Sequence, residues 1–143
     1  MSNPPSHPQA DADAAVSAPD DPVSMLDAAA LGRLRDLDPS GANRVMERVM
    51  RAFESSLSKL LAQAEAAQSL HDHAAIRHVA HTLKSSSASV GALELSRRCA
   101  EIEVHLREHQ HDDLAPHVRG LRAEGGRVLL AVQSLLTNGR ACA

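Results

Sequence analysis

The sequence predicts an all-α protein: an antiparallel up-and-down four-helix bundle with a short additional N-terminal helix. Three observations carry this expectation. Aromatic residues make up 1 % of the 143 positions, with Phe53 alone and no Trp or Tyr. The core must then be Leu, Val, Ile, Met and Ala, which suits packed helices better than a sheet. Apolar residues recur at steps of three and four along successive stretches, with no strand signal between them. The connections are short and carry Asp, Pro or Gly where a helix would start or stop.

Residues 1–22 stand apart. They hold Pro4, Pro5, Pro8, Pro19 and Pro22 among Ala, Ser and Asp, with no periodic apolar face. Such a segment buries too little surface to offset its ordering entropy, so a disordered tail is expected. The bundle domain is expected over residues 23–139, with 140–143 as a C-terminal tail.

The first helix is expected over 25–37, with Leu26, Leu31, Leu34 and Leu37 as its apolar side. Asp38-Pro39 then offers a helix start, an acceptor followed by a residue that needs no amide partner. The second helix runs from there to about residue 67 on a stripe of Val45 or Met46, Val49, Phe53, Leu57, Leu60 and Ala64. Ser69 or Asp72 can cap the third, expected over 73–88, whose inward seam is Ile76, Ala80, Leu83, Ser87 and Val90. Gly91 fits a helix end. The fourth, over 92–109, repeats the spacing with Leu95, Cys99, Ile102 and Leu106. Asp112 and Asp113 make the next cap, with Pro116 tolerated in the first turn. The fifth carries Leu114, Val118, Leu121, Val128, Val132 and Leu135 and stops near Asn138-Gly139. Gly125-Gly126 inside it costs roughly 1 kcal/mol per glycine relative to alanine.

Composition excludes several functions. Net charge is −3 with a pI near 6.3, so there is no basic field for nucleic acid. No run of about 18 apolar residues exists to span a membrane, and no apolar run near the start resembles a signal peptide. A monomer in the cytoplasm is the expectation. Cys99 and Cys142 lie far apart, and Cys99 falls on the apolar stripe, so a buried thiol is expected over a disulfide.

The chemistry concentrates at His81. Its neighbours on a helix surface are Arg77, His78, Lys84 and Ser85, three and four residues away. His81 lies off the inward seam, so its imidazole should stand in solvent beside unpaired cations and a hydroxyl. Those groups become favourable once a dianionic phosphoryl group sits on the ring. Neutral imidazole is a nucleophile near neutral pH, and its phosphoramidate is labile enough to pass the group on. Spacing alone also fits a solvated face with a chance histidine, one of nine.

The stretch 81–103, HTLKSSSASVGALELSRRCAEIE, resembles the phosphorylation motif of histidine-containing phosphotransfer (HPt) domains. That pattern, roughly H-x-L-K-G-S-S-x-x-x-G-A, is met by His81, Leu83, Lys84, Ser86, Ser87, Gly91 and Ala92. Ser85 stands where the family usually has glycine. The resemblance extends over about residues 25–138, taking in the DAAALGRLRDLDPSG opening, Phe53, and the run Leu95, Cys99, Glu103. It implies that His81 accepts phosphate through Nε2 and that Lys84 steadies the phosphoryl group. It places Ser85, Ser86 and Ser87 where small residues allow close packing and close approach of a partner, and Gly91 and Ala92 at the turn between the central helices. It implies a transfer intermediate without ATP-dependent kinase activity, working with response-regulator receiver domains and a hybrid sensor histidine kinase; with no linked kinase or receiver in the sequence, a free-standing relay protein is expected. No cofactor of its own is expected, Mg²⁺ being supplied by the receiver.

Two further readings compete with this one on chemistry. A non-catalytic adaptor docking a receiver or kinase would be expected to lose His81 or Lys84. A metal site on His105, His109 and His111 is opposed by their polar neighbours Arg107, Glu108 and Gln110, which place them at a helix end and loop.

Overall fold

The computed structural model describes residues 25–108 and 113–142, the last four by their backbone alone. Five helices follow one another: α1 (Ala28–Asp36), α2 (Val45–Ser69), α3 (His73–Ser89), α4 (Leu93–Glu108) and α5 (Ala115–Cys142). No strand occurs among the described residues. α2 packs on α3, α3 on α4, α4 on α5 and α5 back on α2. The four long helices thus close a ring of sequence neighbours around one core, the up-and-down bundle that short connections dictate.

The predicted stripes form that core. Phe53, Leu57, Leu60 and Ala64 of α2, Ile76, Ala80 and Leu83 of α3, Leu95, Cys99, Ile102 and Leu106 of α4, and Val118, Leu121, Val128 and Val132 of α5 are all buried. Each large aliphatic side chain so buried contributes about 1.5–3 kcal/mol of transfer free energy. Met50 joins them fully buried, while Val49 and Met46 lie half-buried at the edge of the stripe.

α1 is shorter than the spacing predicts. Asp27 caps it, its carboxylate accepting the Ala30 N–H at 3.1 Å. Leu26 and Leu31 are buried and Leu34 packs against the core, but Leu37 follows the helix end and is 69 % exposed. The Asp27 N–H also donates to the Gly91 carbonyl at 2.8 Å, fastening the start of α1 to the α3–α4 turn. Gly91 has φ +84°, and a Cβ there would lie 2.7 Å from the Asp27 nitrogen. Both facts require glycine.

α2 starts later than Asp38-Pro39 predicts, at Val45. Residues 39–44 form turns through Gly41 at φ +77° and Arg44 at φ +54°. Asp38 still serves the helix from a distance: its Oδ2 accepts from the Asn43 N–H at 3.0 Å and the Val45 N–H at 3.3 Å. Asp72 caps α3 by accepting from Ala75 N–H at 3.1 Å. Ahead of α5, Asp113 accepts from Ala115 N–H at 2.9 Å.

α5 continues past Asn138-Gly139 to Cys142. Leu136 is its last buried leucine, and Leu135 is half-buried. Gly125 is a packing feature, since a Cβ there would meet Leu61 Cδ1 at 2.7 Å. Glu124, also on the inner side, is buried and accepts two N–H groups of Arg127 at 3.1 and 2.7 Å. The expected tail at 1–22 lies outside the described residues, as do His109, His111 and Asp112.

Candidate functional site

α3 carries His81 at its middle, between the buried Ala80 and Leu83. The seam turns those two inward and leaves the imidazole 74 % exposed. Sequence reasoning expected unpaired cations around it. The structure corrects this: Glu103, on α4, reaches across to both. Its Oε2 lies 2.9 Å from His81 Nδ1, and its Oε1 lies 2.5 Å from Lys84 Nζ. Glu103 is 15 % exposed and Lys84 42 %, so the carboxylate sits at the floor of the site with the two nitrogens above it.

The electrostatics follow from this pairing. The hydrogen bond from Lys84 holds the Glu103 carboxyl below its ordinary range, helped by the bond from His81 and opposed by partial burial. Glu103 is therefore a carboxylate at neutral pH and can only accept. His81 Nδ1 must then carry the proton, and in the neutral ring the lone pair lies on Nε2, pointing away from α4.

The surrounding side chains support the helix pair. Ser96 of α4 donates to the Lys84 carbonyl at 2.8 Å, which ties the two helices one turn from His81. Ser86 donates to the Thr82 and Leu83 carbonyls at 3.2 and 3.5 Å. Ser85 is exposed and its carbonyl accepts from Ser89 at 3.1 Å. Ser87 is fully buried in the seam, and its hydroxyl has no partner among the described residues. Arg77 and His78 are exposed on the same helix, and neither bonds to His81 among the described residues. Beneath the site, burial pushes the Cys99 thiol up to about 12, with the Glu103 charge adding and Lys84 opposing, so it stays a packed thiol.

Glu103 and Ser96 are the residues that spacing missed. Glu103 follows the inward Ile102, so it borders the core, but its facing Lys84 depends on how α4 sits beside α3. Ser96 carries no sequence signal. His105 packs on His117 across α4 and α5 with ring centroids 4.5 Å apart. Among the described residues, no three His, Cys, Asp or Glu side chains are grouped to hold a metal.

The site is thus an exposed histidine on a four-helix bundle, held by a carboxylate and next to a lysine. The profile of the Hpt domain family matches residues 48–137, and the chain belongs to that family of phosphorelay domains. Two solved structures share its fold. One is histidine-containing phosphotransfer protein B (HptB) from Pseudomonas aeruginosa PAO1, 22 % identical, covering 80 % of this chain and 96 % of that one with a TM-score of 0.70. The other is the HPT domain from the Hpt sensor hybrid histidine kinase from Shewanella, 23 % identical, covering 81 % and 97 % with a TM-score of 0.65. At these identities the likeness is one of fold. No curated protein sequence matches this one. Hpt domains work with receiver domains and histidine kinases. No described helix is long and apolar enough to cross a membrane.

Proposed function

We propose that this chain is a free-standing phosphorelay intermediate in which His81 takes a phosphoryl group from the aspartate of one receiver domain and gives it to another. The observation that carries this is the exposed His81 with its Nδ1 proton held on Glu103 at 2.9 Å. That bond fixes the tautomer in which Nε2 is free to attack.

In the forward step the Nε2 lone pair forms the N–P bond as the P–O bond to the receiver aspartate breaks, returning a carboxylate to the receiver. The positive charge that develops on the ring is shared through Nδ1–H with Glu103. Lys84, half-exposed on the same carboxylate, is within one helical turn of the ring and redirects its ammonium to the phosphoryl oxygens as they arrive. Positioning and charge neutralisation dominate such transfers. Mg²⁺ belongs to the receiver in this reading, and the chain makes no phosphohistidine from ATP by itself. Arg77, His78, Ser85, Ser86 and Gly91 form or support the surface that meets the partner. A receiver and a hybrid sensor histidine kinase are the partners, and the chain acts as a cytoplasmic monomer.

The test is transfer from an isolated, labelled receiver domain. Wild type should take up an acid-labile, alkali-stable label, and His81→Gln should take up none. ATP without a kinase should label neither. Docking of the receiver with no label transferred to wild type would instead describe a non-catalytic adaptor and overturn the proposal.

A further inference from the structure

Lys84 and Glu103 occupy one side of His81 only. Around α3, Lys84 lies about 60° from His81 on one side and Ser85 about 40° on the other, at roughly 3.6 residues per turn. Lys84 marks the α4 side, since its Nζ lies 2.5 Å from Glu103 Oε1 and its carbonyl accepts from Ser96 at 2.8 Å. Ser85, one turn on, and His78, one turn back, therefore flank the ring on the side away from α4, and both are exposed. Glu103 holds Nδ1 at 2.9 Å, so Nε2 faces that same outer side. A phosphoryl group on Nε2 is carried away from the Lys84–Glu103 pair and towards Ser85.

Ser85 has a donor to offer there. The hydroxyls of Ser86, Ser89 and Ser96 each donate to a main-chain carbonyl. That of Ser85 has no hydrogen-bond partner among the described residues. A helical Cα–Cβ bond tilts towards the N-terminus, so the Ser85 hydroxyl leans back over the turn that carries His81. Cβ atoms four residues apart on a helix are roughly 5–6 Å from one another, a gap that a phosphorylated imidazole and a hydroxyl close between them. The hydroxyl donates whatever the pH near neutrality and gives up only water to do so, whereas Lys84 must first leave a carboxylate. The HPt pattern usually has glycine at this position, so the donor is particular to this chain.

We propose that the Ser85 hydroxyl donates a hydrogen bond to a phosphoryl oxygen on His81 Nε2, making Ser85 a second phosphoryl-binding residue on the side opposite Lys84. The bond forms only as the phosphoryl group arrives, so it favours the transition state and the phosphorylated protein over the resting one. This rests on the phosphotransfer reading of His81 and adds a residue to it.

The experiment loads the full chain from phosphoramidate. The P–N bond of this small donor breaks, its electron pair leaving on ammonia, as the His81 Nε2–P bond forms. No receiver is present, so a change in rate cannot come from docking. Alanine is a better helix former than serine, and the Ser85→Ala variant stays folded. Phosphohistidine formation is followed by ³¹P NMR. Ser85→Ala is expected to load about 3- to 10-fold more slowly than wild type, the loss of one hydrogen bond to an exposed charged group, and to move the phosphohistidine ³¹P resonance. Ser85→Thr, which keeps the hydroxyl, is expected to load close to wild type. Wild-type rate and resonance position in Ser85→Ala, with or without a loss in His78→Ala, overturn the assignment of Ser85 alone. So does a Ser85→Thr variant as slow as Ser85→Ala, or an acid-stable phosphate on Ser85 itself. A wild-type protein that forms no phosphohistidine sinks the phosphotransfer reading, and this assignment with it.

Discussion

Glu103 bonds to both His81 and Lys84, and this makes it the residue whose change is most informative. Glu103→Gln keeps the shape but removes the charge. A hydrogen bond to a charged group contributes about 1.5–3 kcal/mol, so losing the hold on Nδ1 should slow transfer roughly 10- to 100-fold. Rapid-quench transfer from a phosphorylated receiver measures this, and an unchanged rate would remove Glu103 from the mechanism. The same variant carries a pH signature. The folded Glu103 carboxyl lies below its ordinary value of 4.5, chiefly through its bond from Lys84. Its stabilising contribution is therefore complete above pH 4.5 and is lost as pH falls through the lower folded value. The stability gap between wild type and Glu103→Gln, measured by urea denaturation, should be present at pH 7 and shrink towards pH 3. The exposed placing of His81 was legible in the sequence, because a histidine off an apolar seam with a cation one turn away is visible in a single helix, but spacing alone also fits a chance histidine, and the roles expected of His81 and Lys84 came from the resemblance to HPt domains. The pairing with Glu103 was not legible, since it depends on the register of α4 against α3, which the periodicity of either helix leaves undetermined.

Among the elements, α3 and α4 follow their spacing almost residue for residue, because each has one unambiguous seam and a cap or glycine at its boundary. The start of α2 does not. Asp38-Pro39 has the composition of an N-cap and first turn, yet Asp38 exerts its capping effect across a loop, on Asn43 and Val45. Local composition shows that a cap exists there but not how far the chain travels before the helix begins. The α3–α4 turn and α1 are joined at Gly91, and two glycine substitutions should have opposite signs. Gly91→Ala should cost more than the ~1–2 kcal/mol of left-handed backbone alone, because its Cβ would press on the Asp27 backbone at 2.7 Å. Gly126→Ala, with nothing within 4 Å of its Cβ in the middle of α5, should stabilise by about 0.5–1 kcal/mol. Chemical denaturation decides both. Amide exchange should also rise over Ala28–Asp36 in Gly91→Ala if the turn anchors α1.

At the scale of the molecule, fold and chemistry rest on separate residues. Phe53, the lone aromatic, is 5 % exposed in the core. Phe53→Ala should cost about 3–5 kcal/mol, a large share of a total stability of roughly 5–15 kcal/mol. His81→Ala should cost less than about 1 kcal/mol, as a solvent-facing residue whose bond to Glu103 is screened, yet accept no phosphate. Denaturation of both variants, with transfer assayed well below the transition, checks this, and equal destabilisation would mean that His81 is a structural residue. The bundle itself was legible because its seams are long and its connections short. The central claim concerns one nitrogen atom, Nε2 of His81, and it can be observed directly. The protein is enriched with ¹⁵N in its nine imidazoles, phosphorylated by a receiver domain, and followed by long-range ¹H–¹⁵N correlation. The account predicts that a single ring changes, that it is lost in His81→Gln, and that the new N–P bond is at Nε2 with the proton retained at Nδ1. Phosphorylation at Nδ1, or on any other histidine, would contradict it.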